Sequence, residues 1–346
     1  VYSVNERIYD IKVASNGGIF AVSQSGLLKS TNNGSTWTNT LFTNDIVWTD
    51  NIMTMRLWVN GTDILISRNW GSHSFNDLFL STDNGTTFTK VLSTPSNQEF
   101  IRGMIVTPGV YLAFRQGDIL RSDDAGSTWT TVLNGSWAIF NGFYDNTTNT
   151  LFAGTDNTIY TSNDLGVSWT STNSDFMPAI KMSNGDYVSS KGGVGIVRSN
   201  DNGVSWLALG GVKNSIEDIL EFQGNKLIAH DASGLYILPY GNTAWDYLPQ
   251  YQPQSHPTNY GAKSVYSFNG QLFVSSDQGL TWTFTMSFTD DVVFASRMGT
   301  GKIVIITENS LGLNHKVHVI NSAGSLIEET YNIPWTGKVE NFVSNG

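Results

Sequence analysis

One eight-residue pattern, returning six times along the chain, constrains the fold more than any other feature. It reads Ser30-Thr31-Asn32-Asn33-Gly34-Ser35-Thr36-Trp37, then Ser81-Thr82-Asp83-Asn84-Gly85-Thr86-Thr87-Phe88. The same order recurs at 122–129, 162–169, 199–206 and 275–282: Ser, an acid or amide two residues on, Gly, then Ser or Thr before an aromatic. The aromatic positions 37, 88, 129, 169, 206 and 282 are spaced by 51, 41, 40, 37 and 76 residues. The last step spans two periods, and a decayed copy, Tyr240-Gly241-Asn242-Thr243-Ala244-Trp245, sits at its midpoint. A weaker echo, Asn321-Ser322-Ala323-Gly324-Ser325-Leu326, follows one period after Trp282. A period of this size means one supersecondary unit per copy, each burying its apolar face on its neighbours.

Each copy has the chemistry of a hairpin turn. The Gly supplies a positive φ, and the Asp or Asn side chain accepts bonds from the turn's own N–H groups. The aromatic then opens the next strand and packs inward. Between copies the chain shows runs of period two; in the fourth unit these predict strands over 138–140, 150–153, 158–161 and 167–170. Four short strands in about 40 residues is the pattern of a propeller blade. No stretch has the apolar periodicity of a long amphipathic helix.

The repeats resemble Asp-boxes, found in sialidases, xyloglucanase-type glycoside hydrolases, sortilin-type receptors and photosystem assembly factors. The resemblance covers most of the chain and implies an all-β fold, a single β-propeller of four-stranded antiparallel blades. In those families the box lies on the hairpin between the third and fourth strands, at the face opposite the ligand. That implies structural roles for Asn32, Trp37, Asp83, Phe88, Asp124, Trp129, Asp164, Trp169, Asp201, Trp206, Asp277 and Trp282. The chain is expected to form one domain, 1–346, with units near 5–42, 46–93, 99–133, 136–172, 177–210, 214–249, 250–287 and 290–331. In the last unit, strands are expected at 292–296, 303–307, 316–320 and 326–329. Eight blades is the favoured count. Seven with an irregular insertion is the alternative, because Pro253 and Pro257 fall where the seventh unit's first strand is expected. Residues 332–346 echo 9–17 and read as a closing strand or a tail.

Composition narrows the function classes. An apolar content of 40% with 11 Trp, 18 Phe and 13 Tyr supports a packed core and argues against disorder. The net charge of −10 argues against a nucleic-acid partner. No apolar run approaches the roughly 20 residues of a membrane span, so no membrane insertion is expected. There is no Cys, so disulfides and thiolate chemistry are excluded. The chain begins at Val1 and is rich in Asn, Ser, Thr and Gly, which suggests a secreted or cell-surface protein whose signal peptide has been removed. Of the sequons at Asn33, Asn60, Asn84, Asn134 and Asn146, the first and third lie inside the repeated turn, where turn chemistry accounts for them equally well.

If the boxes mark one face, candidate ligand groups lie in the loops of the other, which join strand two to three and strand four to the next blade. Trp48, Trp70 and Trp137 fall there, with Asp45, Arg68, His73, Asn76, Tyr251 and Tyr260 close by. Aromatic platforms beside polar groups suit a sugar ring or a partner's loop. The competing reading is that these tryptophans pack between blades. Asp50, Glu99, Glu217, Asp218, Asp290 and Asp291 stand near the starts of inner strands and are the carboxylates available for glycoside hydrolysis. A sialidase-type site is not carried over. Arg7-Ile8 lacks the flanking aromatic and Pro of the sialidase motif, and nothing marks Arg56, Arg102 and Arg297 as a triad. His73, His230, His256, His315 and His318 show no metal-binding spacing, and neither a metal nor a cofactor is expected. The reading favoured is a non-catalytic propeller that binds a glycan or an extracellular or surface protein; the alternative is a glycoside hydrolase with two carboxylates on the ligand face.

Overall fold

A computed structural model describes residues 8–13, 18–23, 26–42, 52–70, 75–95, 101–115, 117–135, 141–154, 158–172, 174, 176–191, 194–210, 218–222, 226–231, 234–239, 245–248, 258–260, 263–268, 270–277, 281–298, 301–309 and 314–333. These residues form eight four-stranded antiparallel sheets, each a meander with its strands in chain order. The sheets span 8–41, 52–95, 102–134, 141–172, 180–208, 218–248, 258–287 and 291–332, and are called sheets 1 to 8. There is no helix among the described residues.

The seventh sheet is complete. Its first strand, Thr258–Tyr260, begins directly after Pro257 and pairs with Lys263–Phe268, so the prolines precede the ladder rather than interrupt it. In sheet 4 the first strand is Asn141–Asp145, later than predicted; residues 138–140 lie outside the described residues. The turn that follows sets this register. Asp145 Oδ1 accepts from the Thr147 N–H at 3.0 Å, Asp145 Oδ2 from the Thr148 hydroxyl at 2.6 Å, and Phe143 lands opposite Phe152. Sheet 8 comprises Asp291–Arg297, Ile303–Glu308, Lys316–Ile320 and Ile327–Asn332, within a few residues of the predicted strands. The closing-strand segment beyond Ile333 lies outside the described residues, and sheets 1 and 8 each hold four strands without it.

The chain divides into two compact units. One comprises Val1–Phe20, Lys29–Thr38 and Ala179–Gly346, the other Ala21–Leu28 and Asn39–Pro178. In the second unit the first strands of sheets 2, 3 and 4 lie side by side. Gly103 permits this closeness: a Cβ there would strike the Leu65 side chain of sheet 2. Asp63 of sheet 2 accepts a bond from the Tyr111 hydroxyl of sheet 3 at 2.6 Å and from the Gly109 N–H at 3.0 Å, tying the two sheets at their turn ends. In the first unit, Val265, Leu272 and Val274 of sheet 7 join Val292, Ala295, Ile303, Ile305 and Ile320 of sheet 8 in one buried cluster. Sheets 5 and 6 share another, built on Val188, Ile196, Ile219 and Leu227.

The repeated turn joins strands three and four, and its hydrogen bonds recur with little change. Ser162 Oγ, buried, accepts from the Gly166 N–H at 2.8 Å and donates to Asp164 Oδ1 at 2.7 Å. Asp164 Oδ1 also accepts from the Ser168 N–H at 2.9 Å, and Asp164 Oδ2 from the Ser168 hydroxyl at 2.6 Å. Ser81 with Asp83, Ser122 with Asp124 and Ser199 with Asp201 repeat this relay. The weak echo in sheet 8 keeps part of it, since Asn321 Oδ1 accepts from the Ser325 N–H at 2.9 Å. Its final residue, Leu326, is exposed, so the turn survives there without the aromatic. Beyond the Gly, the residue before it is also left-handed in five copies: Asn33, Asn84, Ala125, Leu165 and Asn202 have φ between 57° and 60°. For Ala125 and Leu165 that conformation is strained.

The box aromatics are not equally buried. Phe88 and Trp282 are buried, whereas Trp37, Trp129, Trp169 and Trp206 are half-buried. Trp282 makes an edge contact with Tyr266, their ring centroids 4.6 Å apart. Trp282→Ala is therefore expected to lower stability by about 3–5 kcal/mol and Trp169→Ala by clearly less, as read by denaturant melts. Ala125, exposed and left-handed, offers the opposite test. Ala125→Asn should raise stability by about 0.5–1 kcal/mol, because Asn tolerates this conformation; an unchanged or lower midpoint would contradict the strain assigned to it.

Candidate functional site

At the box turns the carboxylates are engaged by their own backbone. The Thr128, Ser168 and Ser205 hydroxyls, then the N–H groups of the same residues, hold Asp124, Asp164 and Asp201 at a pKa of about 2, below the ordinary carboxylate value. Asn32 fills the same place in the first copy by reversing one bond: its Nδ2 donates to Thr36 Oγ1 at 2.8 Å, where the aspartates accept. A neutral amide can replace the acid, so the turns need a hydrogen-bonding fork and not a charge. Each of these acids bonds within its own turn.

The loops at the other end of each sheet were the expected site. Asp45, Trp48, Asp50, His73, Glu99, Trp137, Glu217 and Tyr251 lie outside the described residues. Trp70, Asp218 and Tyr260 are placed as backbone only, ending Asp63–Trp70, opening Asp218–Phe222 and ending Thr258–Tyr260. Arg68 and Asn76 are fully described, and both are strand residues rather than loop residues, in Asp63–Trp70 and Phe75–Ser81. Both are buried.

Arg68 is held inside sheet 2. Its Nη2 donates to Asp77 Oδ2 at 2.9 Å, and its guanidinium lies 4.7 Å from the Phe79 ring centroid and 5.9 Å from that of Phe42. Asp77 Oδ1 accepts from the Ser93 hydroxyl at 2.7 Å. This arginine is a core cation, built in where a loop had been expected. Arg297 is also committed, donating to the Gly301 and Ser322 carbonyls at 3.0 and 3.1 Å. Arg56 and Arg102 differ. They are half-buried on the neighbouring first strands Ile52–Asn60 and Arg102–Thr107.

Sheet 8 carries a second polar group at its non-box end. Asp290 receives Lys316 Nζ at 3.1 Å, and buried Glu308 meets His315 Nε2 at 3.0 Å. Asp291, exposed, is the register partner of Glu308. Asp290 and Asp291 were expected carboxylates; Glu308 was not, because its pairing depends on how far strand Ile303–Glu308 runs. His318 bridges Thr307 Oγ1 and Thr330 Oγ1, each at 3.0 Å, across three strands. Among the described residues no group of three His, Asp or Glu is placed to hold a metal ion.

No protein-family model matches the chain, and no curated protein sequence matches it. Solved structures do. YCF48 bound to a D1 peptide, a β-propeller, superposes with a TM-score of 0.51 at 13% identity, over 89% of this chain and 93% of that one. The chain folds as a β-propeller. Its eight sheets are the blades, with the box turns on the hairpins between third and fourth strands. YCF48 from Cyanidioschyzon merolae matches with a TM-score of 0.48 at 11% identity, over 88% and 94% of the two chains. The Niastella koreensis GH74 enzyme matches with a TM-score of 0.32 at 17% identity, over 92% of this chain and 61% of its own. At such identities the likeness speaks for the fold alone.

The environment of His318 sets a pH dependence. Burial, then the positive charge of Lys316, push its pKa down to about 4, against a smaller opposing pull from Asp290. The unfolded chain takes up this proton near 6.5 and the folded chain only near 4. Stability from this residue is thus complete above 6.5 and falls as pH drops towards 4. Thermal melts should show that decline in the parent and a shallower one in His318→Gln; parallel profiles would show that His318 does not set it.

Proposed function

We propose that this propeller is a binding module for a polypeptide partner, displayed outside the cell or on its surface, and not a hydrolase. The observation that carries the reading is the commitment of the blade 8 carboxylates. Asp290 is ion-paired with Lys316, and Glu308 is buried against His315. Glycoside hydrolysis needs one carboxyl to exchange a proton with the leaving group while a second attacks or activates water. One carboxylate held by a lysine and another buried against a histidine suit a rim that holds shape and charge. A polypeptide partner is supported by the solved propeller of similar fold that holds a peptide. The sequence-derived glycan reading rests on Trp48, Trp70 and Trp137, and the same assay decides between the two.

One observation favours hydrolysis as a second reading: Asp291 and Glu308 are cross-strand partners, which places two carboxyl-bearing side chains on one face of blade 8. The test is a peptide library and a polysaccharide panel presented to the same purified protein, with released reducing sugar measured alongside binding. Peptide capture without sugar release is the expected result. Sugar release that disappears in Asp291→Asn would replace the binding reading with the hydrolytic one.

A further inference from the structure

The dipeptide Asn-Gly occurs ten times in the chain, and seven of the pairs lie within the described residues. In such a pair an asparagine side chain reacts readily with its own backbone, because glycine puts no Cβ in the way of the attacking nitrogen. Two of the seven share three residues, Asn60-Gly61-Thr62 and Asn84-Gly85-Thr86. Local sequence makes them equals. Any difference between them in the folded chain comes from the fold.

Asn84 lies in the box of blade 2. There the Gly85 N–H donates to the buried Ser81 Oγ at 2.8 Å, and the Asn84 N–H donates to the Thr62 carbonyl at 2.8 Å. Gly85 is itself buried. Asn33 and Asn202 hold the same place in their boxes, with the Gly34 and Gly203 N–H groups on Ser30 and Ser199, each at 2.8 Å. Outside the boxes, the Gly135 and Gly185 N–H groups bond the Gly117 and Met182 carbonyls, and Gly142 sits in a strand ladder opposite Ala153. Asn60 is placed differently. It ends strand Ile52–Asn60 as the register partner of Asp63, so Gly61 and Thr62 form a two-residue hairpin loop. The ladder of such a hairpin uses the N–H and C=O groups of the flanking pair, and the N–H of the first loop residue points away from it. Asn60, Gly61 and Thr62 are exposed, and the space beside the Gly61 α-carbon is open.

We infer that Asn60 is a site of spontaneous modification, converting to aspartate and isoaspartate in the folded protein, while the box relay shields Asn33, Asn84 and Asn202. The Gly61 nitrogen loses its proton and attacks Asn60 Cγ. The N–Cγ bond forms, the Cγ–Nδ2 bond breaks, and Nδ2 leaves with a proton as ammonia. Water then opens the five-membered imide, with no change of oxidation state. Cleavage of the nitrogen's bond to Cγ gives aspartate, and cleavage of its bond to the main-chain carbonyl carbon gives isoaspartate. In a box the same attack first has to break the glycine's bond to the serine hydroxyl, which leaves a buried acceptor unpaired. At Asn60 no such bond stands in the way. Isoaspartate lengthens the backbone by one carbon directly opposite Asp63, whose carboxylate holds Tyr111 and Gly109 of blade 3. Modification at Asn60 therefore acts on the clamp between blades 2 and 3.

The test uses the full chain, produced without N-linked glycosylation because Asn60 and Asn84 both lie in sequons. It is incubated at mildly alkaline pH, either folded or in urea. Peptide mapping by mass spectrometry reads the amide-to-acid mass gain at each asparagine, and enzymatic methylation of isoaspartate reads the isomer. In the folded chain Asn60 is expected to react at least about tenfold faster than Asn84, a barrier difference of about 1.4 kcal/mol. In urea the two rates should converge, since the local sequence is shared. Ser81→Ala should raise the Asn84 rate towards that of Asn60 while the variant still melts cooperatively. Protein enriched in isoaspartate at position 60 should melt below the unmodified chain, and an unchanged melting point would overturn the effect on the clamp. Equal rates at Asn60 and Asn84 in the folded chain would overturn the shielding. An Asn60 that reacts in urea but not in the fold would overturn the site. If Ser81→Ala does not fold, the comparison of folded chain with urea decides alone.

Discussion

The fold depends on a small relay of hydrogen bonds. In each well-formed box a buried serine hydroxyl takes the glycine N–H and passes its own proton to the side-chain oxygen two residues on. That oxygen, with its partner, receives the N–H and hydroxyl of the residue just before the aromatic. The relay thereby satisfies the serine, the glycine N–H and the acid within the turn, while the Gly85 and Leu165 carbonyls take bonds from Thr40 and Arg121 of the preceding blade. A tight hairpin tip can then be pressed against a neighbour. The box glycines show the consequence: a Cβ at Gly85 would meet Leu27 and Ile64, and one at Gly166 would meet Leu112.

Blades join mainly through apolar faces and a few polar clamps. Gly103 and Gly142 leave space for Leu65 and Phe114 where first strands crowd together. The clamps are of two kinds at opposite ends of blades 2 and 3. Asp63 with Tyr111 joins them at the box end, and Asn69 with Ile101 joins them at the other. The second clamp holds Ile101, the residue just before strand Arg102–Thr107. Blade 8 uses its non-box end differently, pairing Asp290 with Lys316 and Glu308 with His315.

Much of the architecture was legible because it repeats. Turn chemistry is local, so Ser162, Asp164, Gly166 and Ser168 declare their bonds in linear order, and even the Asn321 echo identifies a working turn. The left-handed residue before the glycine was not legible, since Ala125 and Leu165 give no sign of it. Nor was the unequal burial of Trp169 and Trp282, which depends on what the adjoining blade presents. The candidate site was the least readable part. Arg68 looked like a loop cation and is instead buried between Asp77 and two phenylalanine rings.

The sequence alone determined the repeat and the four-stranded unit, because each rests on contacts between residues close in the chain. The tertiary structure decided which charges are buried in ion pairs and which stay partly exposed. Arg68 and Arg56 are strand residues of the same blade, and local sequence does not separate them. One is buried against Asp77 on the next strand, while the other stays half-buried on the blade's first strand. Charge pairing between strands is set by how they pack, and packing is a property of the assembled sheets.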